Sequence, residues 1–278
     1  MMTVIAKPAS RESIRPLHRA PDRARRWIGS LGGVALVLVL LEVIIRLEVL
    51  PSRFLPPPTV VVATLFTELG TANAWWAMLD TLRGWAIGLG LAALIAVPLG
   101  LLLGSSEFAY RATRPIVEFL RPVPSVALIP LVFLLFGRNL GDGKIFLAVF
   151  AAVWPLLIQT IYGVRNVLPT QLDTARSFQI RRRDVALRVV LPSALPYLAT
   201  GVRIASTVSL ILVLTGEIVI NAGGIGEQIN LAREGGAVAV MYAFVVLSGI
   251  LGLLLNTIFA RLERRVLRWH PSQRKAQP

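Results

Sequence analysis

The sequence contains no cysteine and only two histidines. Without cysteine the chain cannot form disulfides, thiolate metal sites or a cysteine nucleophile. His18 and His270 lie in the polar ends of the chain, so a histidine-based metal site or catalytic centre in an apolar core is not expected. We therefore predict no catalytic residue, no metal site and no cofactor-binding residue in this chain.

Charge is also scarce. Only 16% of the 278 residues are charged, whereas 55% are hydrophobic and the mean hydropathy is +0.69. A water-soluble domain of this size could not bury so much apolar surface, and a disordered chain would need the opposite composition. The composition excludes a soluble enzyme and a disordered protein, and it predicts a membrane protein whose solvent is lipid.

Apolar runs recur along the chain at the length of a membrane-crossing helix, which needs about 20 residues. They are rich in Leu, Ala, Val and Gly and lack the alternation of barrel strands. We therefore predict an all-α, polytopic membrane protein with six transmembrane helices. The predicted spans are 28–48, 81–104, 115–136, 144–164, 196–220 and 238–260.

Basic residues are concentrated in alternate segments, and the net charge is +14. The two ends, the 105–114 turn and the 165–192 loop carry 21 Lys and Arg, against four in the other three connections. The positive-inside rule then places both termini and the 165–192 loop in the cytoplasm. This topology explains the basic excess, so no nucleic-acid partner is expected. The predicted parts are a basic cytoplasmic tail at 1–27, a six-helix domain at 28–265 and a second basic tail at 266–278.

Glu217 is the outstanding polar residue of the predicted spans. It lies late in the fifth span with no Arg or Lys within four positions, so its carboxylate should face a polar cavity or a partner helix. It is a candidate pathway or gate residue, and the alternative is a helix-end carboxylate close to the outer water. Arg203, in the inner part of the same helix, has the same ambiguity and lies too far along the helix to pair with Glu217.

Other residues in the spans predict local structure. Glu42 and Arg46 are four positions apart and should pair on one helix face, and Glu118 with Arg121 is expected to form a second local pair. Prolines inside the spans predict bends, and two G-x-x-x-G spacings predict close helix contacts. These residues are Pro98, Pro124, Pro130 and Pro155, and Gly84 with Gly88 and Gly100 with Gly104.

The stretch Gly141–Lys144 looks like the end of a phosphate-binding loop. No Gly lies five residues before Gly143, no Ser or Thr follows Lys144, and no strand precedes the stretch. We therefore predict a turn between the third and fourth spans, without a nucleotide site.

The most informative segment is 171–196. It is too polar to cross a membrane and too apolar for a solvated linker, and its apolar residues recur near helical spacing. We predict two short amphipathic helices at the cytoplasmic face, followed by the fifth span starting at Leu191-Pro192, because proline is well tolerated at a helix start. The alternative is a basic helix resting on anionic lipid.

This segment resembles the hallmark loop of the permease subunits of bacterial ABC importers, which runs Glu-Ala-Ala, three residues, Gly, nine residues, Ile, one residue and Leu-Pro. Counted back from Pro192, the matching positions are Asp173, Thr174, Ala175, Gln179, Val189, Leu191 and Pro192. Gln179 departs from the pattern, since the Gly permits a positive φ in the tight turn between the two helices and Gln is strained there. The turn is expected to shift, or the ATPase contact to change.

Three further stretches extend the resemblance over about residues 55–265, and order and spacing agree over that length. They are Thr81–Gly84 through Pro98–Gly100, Arg121–Pro124 with Ala127–Leu131, and Gly216-Glu217 followed by Gly224–Gly226. Together they are similar to the branch that imports nitrate, sulfonates and taurine, with relatives for bicarbonate and for riboflavin or thiamine-precursor import.

The resemblance implies a type I ABC importer permease fold in the bacterial plasma (inner) membrane, as a non-catalytic subunit that forms the pathway. It implies a second permease copy, with a homodimer favoured, two cytoplasmic ABC ATPase subunits that bind the ATP, and an extracytoplasmic substrate-binding protein. The ATPase-coupling residues are expected to be Asp173, Ala175, Arg176, Phe178, Gln179, Leu191 and Pro192, and Arg176 and Phe178 should touch the ATPase. A stand-alone secondary transporter or channel and a membrane anchor or scaffold subunit remain as alternatives.

Overall fold

A computed structural model describes residues 23–51, 53–137 and 139–267, with side chains from residue 32 onward. The parts of the two predicted tails at 1–22 and 268–278, which include both histidines, lie outside the described residues. The described elements are α1 (Arg23–Arg46), α2 (Pro58–Leu69), α3 (Ala72–Ser105), α4 (Glu107–Leu120), a 3-10 turn (Ser125–Leu128), α5 (Ile129–Phe136), α6 (Leu140–Arg165), α7 (Pro169–Ser177), α8 (Arg182–Val185), a π-helical turn (Ala186–Val190), α9 (Leu191–Ile220), α10 (Gly224–Glu234) and α11 (Val238–Val266).

The chain divides after residue 52 into a short first unit, which contains α1, and a larger second unit. Within the first unit, Nε of Arg46 donates to Oε1 of Glu42 at 2.6 Å. The predicted local pair in the first span is therefore confirmed.

Among the described residues, four helical stretches are long and apolar enough to cross a membrane. They are α3, α6, the stretch Arg182–Glu234 that contains α9, and α11. The bent pair formed by α4 with Ser125–Phe136 would be a fifth. The all-helical class is thus confirmed with four or five candidate spans, while the sixth span and the cytoplasmic termini stay predictions. The stretches 51–80 and 221–237, predicted as connections, contain the additional helices α2 and α10.

The predicted span 115–136 is not one straight helix, and the bend predicted at Pro124 is confirmed. The chain bends by 81° between α4 and the segment Ser125–Phe136. Pro122 and Pro124 lack backbone N–H groups and disfavour helical backbone at the residues before them, so the helix cannot continue through them. The remaining helix α5 has only eight residues, which is about 12 Å and too short to cross a membrane.

The packing of α3 against α6 depends on the small residues of α3. A methyl group on Gly88 would lie 2.8 Å from Cβ of Ala148, and one on Gly100 would lie 2.5 Å from Cβ of Thr160. Gly104 makes a similar approach to Val164. No side chain fits at these positions, because the two backbones approach so closely. The contacts predicted from the G-x-x-x-G spacings are confirmed.

The start predicted for the fifth span at Leu191-Pro192 is confirmed, since α9 begins at Leu191 with Pro192 in its first turn. What the sequence did not predict is that α8 and the π-helical turn Ala186–Val190 run into α9 without a break, so that the helical stretch as a whole begins at Arg182. The π-helical turn lies just before Pro192, whose missing N–H removes one α-helical hydrogen bond, so the break is absorbed by a local change of helix type. The two short helices predicted before the fifth span correspond to α7 and α8, of which only α7 is separated from α9 by a non-helical turn.

Candidate functional site

An ionic cluster joins α3, α6 and α9. Nζ of Lys144 donates to Oε1 of Glu217 at 2.9 Å and to Oδ2 of Asp80 at 2.7 Å. Lys144 lies in α6, which begins at Leu140, so the turn predicted for Gly141–Lys144 is wrong. This stretch opens a helix, and the helix directs the lysine side chain at α3 and α9.

The second oxygen of Glu217 attaches α10 to the same cluster. Oε2 accepts hydrogen bonds from Oγ1 of Thr81 at 2.9 Å and from the backbone N–H of Gly226 at 3.0 Å. The Thr81 hydroxyl oxygen in turn accepts the N–H of Ile225 at 2.9 Å. Both carboxylate oxygens of Glu217 are therefore bonded, and the first turn of α10 is held by side chains of α9 and α3.

Glycines make the space that these side chains need. Gly84 of α3 and Gly216 of α9 flank Lys144, and methyl groups there would lie 3.1 Å from Cε and 3.0 Å from Cβ of the lysine. A methyl group on Gly224, which has φ +85°, would overlap the Glu217 carboxylate, and one on Gly226 would lie 2.5 Å from Cβ of Glu217. The Gly216-Glu217 and Gly224–Gly226 stretches are thus parts of one packing arrangement.

Burial differs sharply across the cluster. The side chains of Lys144 and Glu217 are 3% and 0% exposed, whereas that of Asp80 is 43% exposed. Asp80 lies at one end of a groove of about 680 Å³ between α3 and α6, together with Arg83 and Asp142. The groove continues along apolar side chains that include Ile87, Leu91 and Val149. The cluster therefore has a buried ion pair on one side and a carboxylate open to the groove on the other.

The structure separates the two candidate pathway residues. Glu217 faces a partner helix, one of the two surroundings expected for it, and it is not a helix-end carboxylate with access to water. Arg203 lies elsewhere on α9, where Nε donates to Oδ1 of Asn256 at 3.1 Å and Nη1 lies 3.5 Å from Oε2 of Glu263. Arg203 therefore connects α9 to α11, and a role of either residue in a pathway stays a prediction.

Lys144 and Asp80 are the residues that the sequence reasoning missed. Only three of the 29 basic residues are lysines, and the other two, Lys7 and Lys275, lie in the tails. A single lysine beside a predicted span, in a chain that otherwise uses arginine, was the available signal. Its partner Glu217 lies 73 positions away, beyond any local pattern.

The exposed turn after α7 forms the second candidate site. Gln179 has φ +52°, so the turn is kept at this position although Gln replaces the expected Gly. The N–H of Ile180 bonds to the carbonyl of Ala175 at 3.0 Å, and the N–H of Gln179 bonds to that of Arg176 at 2.9 Å. These two bonds are those of a Schellman motif, which ends a helix with one residue in the left-handed conformation.

Within this turn the coupling residues take different positions. Phe178 is 76% exposed, Arg176 pairs with Asp173 at 3.1 Å on the exposed helix face, and Ala175 is buried. Leu191 and Pro192 are half-buried in the first turn of α9, where Leu191 packs against the buried cluster of Val164, Ala194 and Leu198. The geometry thus presents Asp173, Arg176 and Phe178 on the surface, whereas Leu191 and Pro192 are partly covered by the bundle.

A family model described as "Binding-protein-dependent transport system inner membrane component" matches residues 96–268. The taurine transport system permease protein TauC of Escherichia coli K12 is 30% identical, over 87% of this chain and 89% of that protein. The nitrate import permease protein NrtB of Leptolyngbya laminosa is 32% identical over 69% of each chain. A structure of the MetNI methionine ABC transporter, in an inward-facing conformation, matches with TM-score 0.60 and 21% identity over 70% of this chain and 96% of that one, so it shows the same fold. This chain therefore belongs to the family of binding-protein-dependent transport system inner membrane components.

Proposed function

We propose that this chain is the permease subunit of an ATP-driven, binding-protein-dependent importer for a small solute of the nitrate, sulfonate and taurine class. The relatives named for taurine and nitrate support this substrate class, and taurine is itself a sulfonate. Within the proposal, the chain lies in the bacterial inner membrane, with its termini in the cytoplasm.

The observation that carries the proposal is the exposed turn that ends α7. An apolar phenylalanine that is 76% exposed, beside the Arg176–Asp173 pair, is suited to fill a pocket on a partner protein. The turn leads through α8 into a helix of membrane-crossing length, so a force applied at the turn acts directly on a span. This arrangement suits two cytoplasmic ATPase subunits docked on two copies of the permease.

The remaining assignments follow from the family. The chain itself binds no ATP, metal or cofactor and catalyses no reaction in this proposal, and an extracytoplasmic binding protein delivers the solute. A homodimer of the permease is the favoured assembly. A secondary transporter would instead work without an ATPase, and an anchor subunit would not move solute at all.

Reconstitution tests the proposal. The complete complex is placed in liposomes with ATP inside and the binding protein with taurine or nitrate outside. Uptake should require ATP hydrolysis, and the double variant Arg176→Glu/Phe178→Ala should reduce the solute imported per ATP hydrolysed at least tenfold while the complex still folds. Phe108→Ala, which removes a phenylalanine of similar exposure from α4, should leave this ratio unchanged.

Two results would contradict the proposal. Uptake driven by a proton gradient without ATP would support the secondary transporter. Normal coupling in the Arg176→Glu/Phe178→Ala variant would remove the turn after α7 from the ATPase contact.

A further inference from the structure

The first turn of α10 is attached to the bundle through the ionic cluster. Its Ile225 and Gly226 N–H groups bond to Thr81 and Glu217, and Glu217 is held by Lys144. The predicted topology places α10 on the outer side of the membrane, in the segment 221–237 between the last two spans. The position of this helix therefore depends on a buried charge pair below it.

The two ion pairs of Lys144 differ in how much free energy their separation costs. Separating Lys144 from Glu217 would leave a fully buried carboxylate without its counter-charge, which is strongly unfavourable. Separating Lys144 from Asp80 is much less costly, because Asp80 is 43% exposed and water in the groove can solvate it. The Lys144–Glu217 pair is therefore the one that stays intact, and the Lys144–Asp80 pair is the one that can separate.

The site is packed closely around the lysine side chain. The side chain passes between Gly84 and Gly216 at distances that leave no spare space for a methyl group. A planar guanidinium is wider than an ammonium and carries five N–H donors in a fixed geometry. Arginine supplies almost all the other basic residues of the chain, and it would place this wider group where the lysine ammonium binds two carboxylates.

We propose that Lys144 is a positioning residue for an outer gate formed by α10, with Glu217 as the fixed partner and Asp80 as the partner that is released when the gate opens. We call the three residues Asp80, Lys144 and Glu217 the ionic latch. The inference rests on the proposed import function, since opening and closing belong to the transport cycle. With Asp80 bound, α3, α6 and α9 are held together beneath α10, and release frees α3 to move relative to the other two helices.

The test uses the complete complex in liposomes and compares Asp80→Asn with Asp142→Asn. Asp142 is exposed at the same end of the groove and accepts a hydrogen bond from Asn139, and it makes no ion pair with Lys144. Asp80→Asn should lower the solute imported per ATP hydrolysed at least fivefold and leave the melting temperature nearly unchanged. Asp142→Asn should leave both unchanged.

A second measurement follows α10 itself. Asn73 of α3 and Gln228 of α10 are hydrogen-bonded at 2.9 Å, and the chain contains no cysteine. With cysteines introduced at both positions, a reversible bifunctional thiol reagent should join them efficiently without nucleotide and at least threefold less after trapping with ATP and vanadate. Adding Asp80→Asn should make the yield independent of nucleotide.

The outcomes separate the latch from the proposed function. ATP-driven import with an unchanged ratio in Asp80→Asn, or a cross-linking yield that ignores nucleotide in the otherwise unaltered complex, would overturn the latch alone. Absence of ATP-driven import by the unaltered complex would overturn the proposed function and the latch with it.

Discussion

Nζ of Lys144 lies 2.9 Å from Oε1 of Glu217, across 73 positions of the chain, and neither side chain is more than 3% exposed. Each charge is tolerated in the interior only because the other is present. The pair therefore couples two helices whose sequences give no sign of each other.

Breaking this pair from either side should destabilise the protein. We expect Lys144→Met or Glu217→Gln to lower the free energy of unfolding by about 3–5 kcal/mol, because each leaves one buried polar partner unmatched. The double variant should recover most of this loss, since no buried charge is then left over apart from the partly exposed Asp80. Thermal unfolding of the purified permease measures the difference, and purely additive losses would show that the two groups do not interact.

Two glycines of α3 allow the close approach of α3 and α6 to be tested with a matched pair of alanine variants. Gly100→Ala should destabilise the protein by about 1–3 kcal/mol, because the methyl group meets Thr160 of α6. Gly90→Ala in the same helix meets nothing within 4 Å and should be neutral or stabilise by up to about 1 kcal/mol. Equal effects of the two substitutions on the melting temperature would contradict the close approach of α3 and α6.

Gln179 offers a test of backbone strain in the exposed turn. Gly at this position should stabilise the turn by about 1 kcal/mol, since the left-handed conformation is costly for any side chain. A β-branched residue, as in Gln179→Val, should destabilise it and reduce co-purification of the ATPase. If Gly and Val behave alike in thermal unfolding and in co-purification, the positive φ at this residue is not important for the turn.

Arg203 should prove much less sensitive than Glu217. Its guanidinium is partly exposed, and one of its two contacts is as long as 3.5 Å, so Arg203→Gln should cost under about 1 kcal/mol. Import should fall by less than half, against a loss of at least tenfold for Glu217→Gln. A loss of import in Arg203→Gln as large as that in Glu217→Gln would instead place Arg203 in the transport mechanism.

The features that local spacing could predict were largely the ones that the structure confirms. Glu42 and Arg46 are neighbours on one helix turn, and Gly88 and Gly100 need only the absence of a side chain. The predicted pair of Glu118 with Arg121 is wrong, because Nε of Arg114 donates to Glu118 at 2.7 Å instead. Sequence spacing alone does not decide between two basic residues that are both close to the same carboxylate. The separation of four residues suits a helical ion pair in α4, whereas Arg121 lies beyond the last residue of that helix.

Tertiary partners could not be predicted in this way. Nothing near Glu217 in the sequence identifies Lys144 or Thr81, because residues 73 and 136 positions away come into contact only once the fold exists. The bend near Pro122 and Pro124 was predictable in its position, because Pro124 lies inside a predicted span, but its size of 81° was not.

The helix that begins at Arg182 and continues through α9 has a mechanical consequence. About 35 residues separate its exposed start from Glu217, so the two ends are about 50 Å apart. A tilt of this rod by about 5° around one end would displace the other by about 4 Å, which exceeds the length of either hydrogen bond made by Lys144. Over this length, a small rotation at the exposed end near Arg182 becomes a movement at Glu217 that is large enough for Lys144 to exchange partners.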